Sequence, residues 1–174
     1  HFFLKYENDL NLPNYLSSKL DAKIERVNND TYLKVFQDNL FTSPVMPSNK
    51  DVMVSEINLD FDHKNYDLTT AVQVFENLGV THSDRYQYVL PSYDFSRDIN
   101  IKNLDGSLNF YSSGSNRLKD TNNLRTSVVN DFGFNSINYL TDSGFVNNFK
   151  IYLKNLNSLG KNDITYKSSP SVDA

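Results

Sequence analysis

The chain of 174 residues contains no cysteine and only 6 glycines. The lack of cysteine excludes disulfide bridges, cysteine-ligated zinc, iron–sulfur clusters and cysteine nucleophiles. The sequence also lacks a glycine-rich phosphate loop, a dinucleotide-binding glycine pattern, a Gly-x-Ser-x-Gly elbow and a His-Glu-x-x-His zinc motif. We therefore expect no cofactor, and we lean towards a protein that is not an enzyme.

Long hydrophobic runs and a strong positive charge are missing as well. No apolar run approaches the roughly 18 to 20 residues of a membrane-spanning helix, so we expect no transmembrane segment. The formal net charge is -4 at pH 7, and neither half of the chain is basic enough to follow a phosphate backbone. Nucleic acid is therefore not an expected partner.

The residues that are present describe a folded domain with an unusual composition. Aromatic residues make up 13% of the chain, with 12 Phe and 11 Tyr, which is enough to supply much of a core. Asparagine is abundant and alanine is rare, a bias typical of an AT-rich genome. The absence of cysteine fits an exported protein that does not rely on disulfides. We expect an extracellular or cell-surface location, with an intracellular location as the alternative.

The length of the chain suits a single domain. We expect that domain to span residues 1–166. The last eight residues, 167–174, are small and polar, which is typical of a flexible tail or a linker.

Four segments carry apolar residues at the spacing of an amphipathic helix. The second is the clearest, because Asp67 can cap its start and Gly79 can end it. The first has an alternative reading, a hairpin that turns at residues 28–30. The predicted helices are 13–27, 68–78, 121–131 and 145–159.

Segments between these helices favour strands, since they are rich in β-branched and aromatic residues. We expect Pro91 to end one of them and Asp105-Gly106 to belong to the turn of a hairpin. The predicted strands are 31–36, 52–61, 85–90, 98–102 and 107–111. The pattern indicates an α+β fold, a mixed or mainly antiparallel sheet of about five strands with about four helices packed against it.

A cluster of potential metal ligands lies in the segment DFDHKNYD at residues 60–67. In an extended strand, Asp60 and Asp62 point to the same face and could hold a divalent cation or perform acid–base chemistry. The same alternation places His63 on the opposite face. The simpler interpretation is that both aspartates are solvated strand residues and that Asp67 caps a helix.

The aromatic segment RYQYVLPSYDF, residues 85–95, is the best candidate for a binding surface. Tyr86 and Tyr88 share one face of a strand, and Tyr93 and Phe95 follow Pro91. Tyrosine is favoured at protein interfaces because it offers a large rigid ring and one polar group. The alternative is that these rings are ordinary core residues.

The sequence thus predicts a non-catalytic protein-binding domain, an exported or cell-surface module whose partner and oligomeric state are unknown. The first alternative is a metal-assisted or carboxylate-based hydrolase that uses Asp60, Asp62 and His63. The second is a subunit of an intracellular assembly. An enzyme requires these three side chains to converge in a pocket, whereas a binding module requires an exposed apolar patch.

Overall fold

The computed structural model describes residues 1–40, 44–47, 49–80, 82–101, 105–120, 122–162 and 171–173. Its strands are β1 Phe2–Asp9, β2 Ser17–Arg26, β3 Val52–His63, β4 Tyr66–Asn77, β5 Tyr86–Ile101, β6 Gly106–Lys119, β7 Asn123–Ser136, β8 Tyr139–Leu140, β9 Val146–Asn147, β10 Lys150–Lys161 and β11 Ser171–Asp173. One α-helix, α1, spans Tyr32–Leu40, and a short 3-10 helix spans His82–Arg85.

Nine of these strands form one antiparallel sheet in the order β1-β2-β3-β4-β5-β6-β7-β10-β11. Apart from the insertion of β8 and β9, each strand pairs with the next one along the chain. The remaining two strands, β8 and β9, pair with each other. Within the expected tail, residues 171–173 form β11 and pair with β10.

The expected α+β fold is wrong, because all four segments predicted as helices contain strands instead. Segment 13–27 contains β2, 68–78 lies largely in β4, 121–131 contains the first part of β7, and 145–159 contains β9 and most of β10. The segment 31–36, predicted as a strand, lies largely in α1, where the backbone N–H of Val35 donates to the carbonyl of Thr31 at 3.0 Å. Among the described residues, no helix is long and apolar enough to cross a membrane.

The helix predictions failed because a spacing of four residues fits both periodicities. Leu124, Val128 and Phe132 recur every four residues, which aligns them on one helix face and equally on one strand face. In β10 the strand alternation itself is broken, because Leu156 lies on the polar face and Asn155 lies on the apolar face. The apolar residues of that strand therefore recur at the spacing of a helix face and do not alternate as in an ordinary strand.

Two of the predicted strand features are confirmed. The predicted strand 52–61 is β3, which continues to His63. The predicted hairpin joins β5 and β6, in which Ile101 pairs with Gly106; residues 102–104 of its turn lie outside the described residues. Pro91, in contrast, does not end its strand, because β5 continues through it to Ile101.

Strand β5 passes Pro91 by means of a β-bulge. The register of β5 against both neighbours shifts between Val89 and Ser92, where three residue steps on β5 match two on each neighbour. Proline is tolerated in a sheet at such a bulge because no ladder hydrogen bond from its nitrogen is needed there.

The register gives the sheet one apolar and one polar face. Directly paired residues share a face and successive residues alternate. On β3, Ile57, Leu59 and Phe61 occupy the apolar face, whereas Asn58 and Asp60 occupy the polar one. Paired residues on the neighbouring strands extend both faces across the sheet.

A small core lies at one end of the sheet, where α1 packs. Its buried residues are Val27, Leu33, Met53 and Leu78, with Phe3 and Tyr32 packed against them. Arg85 reinforces this end: its Nη2 lies 2.6 Å from Asp30 Oδ1 and its Nε lies 2.8 Å from Glu76 Oε1. Arg85, which directly precedes β5, thus links Asp30, just before α1, to Glu76 of β4.

Candidate functional site

The four aromatic residues predicted as a binding surface all lie on the apolar face. Tyr86 and Tyr88 pair with Glu76 and Val74, and Tyr93 and Phe95 pair with Thr70 and Leu68. These four partners are even-numbered residues of β4, so they share one face. The bulge at Pro91 supplies the extra residue that brings Tyr93 and Phe95 to the same face as Tyr86 and Tyr88.

Aromatic rings continue across this face as a row over five strands. His63 stacks on Tyr66 with ring centroids 4.7 Å apart, and Tyr66 stacks on Phe95 at 5.8 Å. Phe95 then contacts Phe110 at 6.0 Å, and Phe110 contacts Phe132 at 4.6 Å. This aromatic row, defined as these five residues, runs from β3 to β7.

A group of uncharged polar side chains interrupts the apolar face on β6, β7 and β10. The hydroxyl groups of Tyr93 and Ser112 share a hydrogen bond of 3.2 Å. Ser112 donates to Asn130 Oδ1 at 2.8 Å, and Asn130 donates to Asn155 Oδ1 at 3.5 Å. Because these groups bond to each other across the strands, they need less water than isolated amides would.

Large side chains of the apolar face are exposed where no element of the described chain packs on them. Ile57 is 50% exposed, Phe132 42% and Leu153 47%. From β1 to β10 the face is eight strands wide, about 34 Å, and ten residue steps along β4 cover about 33 Å. This outline of roughly 1,100 Å² includes the end that α1 covers and the polar group around Ser112, so the exposed apolar area is smaller than the outline.

Most charged residues of the apolar face in the described strands stand at or next to strand ends, and Arg97 stands beside the aromatic row. Arg26, Glu76 and Lys161 lie at or next to the ends of β2, β4 and β10, and Arg97 lies in the last third of β5, beside Phe110. The polar face, in contrast, carries charges along its whole width, for example Lys19, Asp60 and Asp94 in one row. The two faces therefore differ strongly in polarity.

The candidate metal ligands do not converge. Asp60 and Asp62 lie on the polar face, where Thr69 donates its hydroxyl to Asp60 Oδ1 at 2.7 Å. Asp62 pairs directly with Asp67, which lies in β4 and caps no helix. His63 lies on the other face, against Tyr66. Among the residues that the structure describes, no group of three or more His, Asp or Glu side chains could hold a metal ion.

A cleft of about 580 Å³ opens on the polar face over β5, β6, β7 and β10. Tyr111 stands on β6 and Tyr152 on β10, with Gly133 of β7 between the two strands. A Cβ atom at position 133 would lie 3.2 Å from the ring of Tyr152, so the glycine makes room for that ring. The backbone of the row Phe110, Phe132 and Leu153 contributes to the lining, because their side chains leave from the opposite face.

Polar groups around this cleft are held by hydrogen bonds. Tyr111 donates to Asp94 Oδ1 at 2.6 Å, and this bond to the carboxylate is the main reason that the pKa of Tyr111 is raised. Asn109 donates to Asp98 Oδ1 at 2.5 Å, and Tyr152 donates to Asn135 Oδ1 at 3.2 Å. These hydrogen bonds restrict the orientations of the side chains.

Asp131 is the least well compensated group of the cleft. Its Oδ2 lies 3.4 Å from Lys154 Nζ, which is longer than a strong charge-assisted hydrogen bond. Its Oδ1 is buried and has no hydrogen-bond partner among the described residues. This carboxylate is thus held by one long ion pair and leaves one oxygen without a partner among the described residues.

Sequence reasoning missed Tyr111, Tyr152, Asp98 and Asp131. Tyr152 lies in the segment 145–159, which was predicted as a helix, and this hid its relation to the other three. The available signal was the alternation of β10, where Lys150, Tyr152 and Lys154 share one face. Their proximity to β6 could not be read without the strand order.

Comparison with known proteins gave no match: no family model, curated protein or solved structure is similar to this chain. The functional proposals below therefore stand on the geometry of the two faces.

Proposed function

We propose that this chain is a non-catalytic sheet that works at a lipid surface, with its apolar face in contact with hydrocarbon chains. The observation that carries the proposal is the exposed apolar face, about 34 Å wide. Its charged residues in the described strands stand at or next to strand ends, apart from Arg97. Each 100 Å² of apolar area removed from water stabilises by about 2.5 kcal/mol. A face of this size is therefore strongly driven to become covered.

Lipid fits the face better than water does, and the aromatic row supports this choice. Tyr66 and His63 carry polar groups on aromatic rings, the kind of side chain that prefers the boundary between hydrocarbon and water. They lie beside the turn between β3 and β4, at the edge of the apolar face. The hydrogen bonds between Ser112, Asn130 and Asn155 reduce the cost of placing these polar groups in apolar surroundings.

The absence of cysteine allows a direct test with one introduced thiol per variant. Ile57→Cys and Asn58→Cys are adjacent positions on opposite faces of β3, so they form a matched pair. Ile151→Cys and Lys150→Cys form a second pair on β10. Each variant is labelled with the environment-sensitive dye NBD and mixed with phosphatidylcholine vesicles.

We expect the labels at positions 57 and 151 to brighten, to shift to the blue and to be quenched by nitroxides on the acyl chains. The labels at positions 58 and 150 should change little, because the polar face stays in water. Equal responses at the two members of a pair, or no response at any position, would contradict the proposal.

Docking of another protein on the same face is the second candidate, and a specific observation favours it. Tyr86, Tyr88, Tyr93 and Phe95 lie together on this face, and such clusters are enriched at protein interfaces. A photoreactive group attached to the introduced thiol at position 57 separates the two candidates by the mass of its adduct. A lipid adduct supports the first proposal and a single stoichiometric protein adduct supports the second. The same group at position 58 is the control for both.

A location outside the cell or at its surface remains a prediction.

A further inference from the structure

The cleft on the polar face plays no part in the proposed lipid contact, because it opens on the opposite side of the sheet. Its rim carries the carboxylates of Asp98 and Asp131, and Asp94 holds the hydroxyl of Tyr111 at its border. Lys154 is the cationic side chain among the lining residues. The lining thus has an excess of negative charge.

Aromatic rings form two sides of this acidic cleft. Tyr111 is 40% exposed and Tyr152 is 62% exposed, so their faces are accessible to a ligand. The negative face of an aromatic ring attracts cations, and nearby carboxylates add their own Coulomb attraction. An anion would meet two or three carboxylates and a single lysine.

A neutral polyol would gain less than a cation from these groups. The best placed hydrogen-bond partners of a hydroxyl group are already engaged, since Asn109 bonds to Asp98 and Tyr111 bonds to Asp94. The charge of Asp131, in contrast, is only partly compensated by Lys154 at 3.4 Å. A positive charge placed between Asp131 and the ring of Tyr152 would complete that compensation.

We propose that the cleft between Tyr111 and Tyr152 binds an organic ammonium ion. The tyrosine rings surround the alkyl groups of the ion, and Asp98 and Asp131 attract its charge. The positive charge of Lys154 repels the ion and lowers its affinity for the cleft. The volume of about 580 Å³ accommodates a small ammonium compound with room for water.

Choline is a suitable probe, because 3,3-dimethylbutan-1-ol has the same shape without the charge. Binding of both compounds to the full chain is measured by titration calorimetry or by saturation-transfer NMR. We expect saturable binding of one choline per chain and binding of the neutral compound at least about tenfold weaker. The affinity for choline should also fall as the salt concentration rises.

Variants then assign the binding to this cleft. We expect Asp131→Asn and Tyr152→Ala each to weaken choline binding by about fivefold or more, and Lys154→Gln to strengthen it. Tyr152→Phe keeps the ring and should keep the binding, which guards against a loss of folding in Tyr152→Ala. Tyr139→Ala removes a tyrosine that lies outside the cleft and should change nothing.

Three results with choline, and a fourth with a sugar, would overturn the proposal. The first is equal affinity for choline and its neutral counterpart, and the second is absence of choline binding at millimolar concentration. The third is choline binding that survives both Asp131→Asn and Tyr152→Ala in folded protein. A neutral sugar such as glucose serves as a further competitor, and preferential binding of the sugar would also contradict a cation site.

Discussion

Two regions of this molecule carry apolar side chains of similar chemistry but differ in how far these side chains are exposed to solvent. At the end where α1 packs, Leu33 and Met53 are each 1% exposed. On the apolar face of the sheet, Ile57 and Leu153 remain 50% and 47% exposed. The packed end is stabilised by the chain itself, whereas the apolar face has its area still available for something else. Stability and the proposed lipid contact therefore involve different sets of apolar residues.

The largest effect expected from this comparison is on the packed end. Met53→Ala should lower the free energy of unfolding by about 2–5 kcal/mol, because it leaves a cavity among buried side chains. The matched change Ile57→Ala should cost less than about 1.5 kcal/mol in aqueous buffer, since half of that side chain is already in water. Urea denaturation of both variants measures the difference.

A lipid surface should sharpen this contrast. With phosphatidylcholine vesicles present, Ile57→Ala should weaken vesicle binding, whereas Met53→Ala should weaken it only as far as it unfolds the chain. Equal losses of stability for the two variants in buffer would show that the apolar face is already covered, for example by a second copy of the chain.

A smaller effect is expected on the polar face. Asp60→Asn combined with Asp62→Asn should change the free energy of unfolding by less than about 1 kcal/mol, because both side chains lie on the solvated face. The hydrogen bond from Thr69 can still form to the asparagine oxygen. Thermal and urea denaturation with and without divalent cations provide the measurement. A loss well above this value, or a stability that depends on the cation, would support a metal site at Asp60 and Asp62.

The smallest effect is expected where the packed end meets the apolar face. The hydroxyl of Tyr86 donates to Glu76 Oε1 at 3.0 Å, and this bond raises the pKa of Tyr86. A raised pKa in the folded state gives stability that is present below the unfolded value of about 10 and is lost as the pH rises through the folded value. Removing the hydroxyl should therefore change the pH dependence of stability only at alkaline pH.

Tyr86→Phe tests this expectation by difference spectroscopy. The ultraviolet titration of the parent chain minus that of the variant isolates the ionisation of one tyrosine, which we expect above pH 10. Stability of the parent should also decline more steeply than that of the variant in the same range. A difference spectrum that titrates at or below about pH 10 would show that the bond to Glu76 does not hold in solution.

The sequence anticipated some local features and missed the architecture. The strand containing Asp60, the alternation that separates it from His63, and the hairpin that ends near Gly106 follow from periodicity and turn chemistry within a few residues. The four helices failed because residues such as Leu68 and Val72, four apart, share a face in a helix and in a strand alike. The β-branched residues of that segment favour a strand, whereas the prediction rested on the apolar spacing and on the apparent capping by Asp67 and Gly79.

The candidate sites show the same division between local and long-range information. The sequence pointed to the aromatic residues of β5 as a surface. That all four share one face depends on the bulge at Pro91, which is visible only from the pairing of β5 with β4 and β6. The cleft joins Asp98, Tyr111, Asp131 and Tyr152 from four strands. Nothing within any single strand marks these residues as neighbours.

The sequence by itself determined what the chemistry of this protein excludes. Without cysteine there are no disulfides or thiolate sites, and the motifs of several enzyme classes are absent. Composition and alternation also fixed which residues of β3 share a face. The tertiary structure alone decided that nine of the described strands form one antiparallel sheet with an exposed apolar face and an acidic, tyrosine-lined cleft. The physical reason is that cross-strand pairing joins residues far apart in the chain, and local periodicity carries no information about which strands become neighbours.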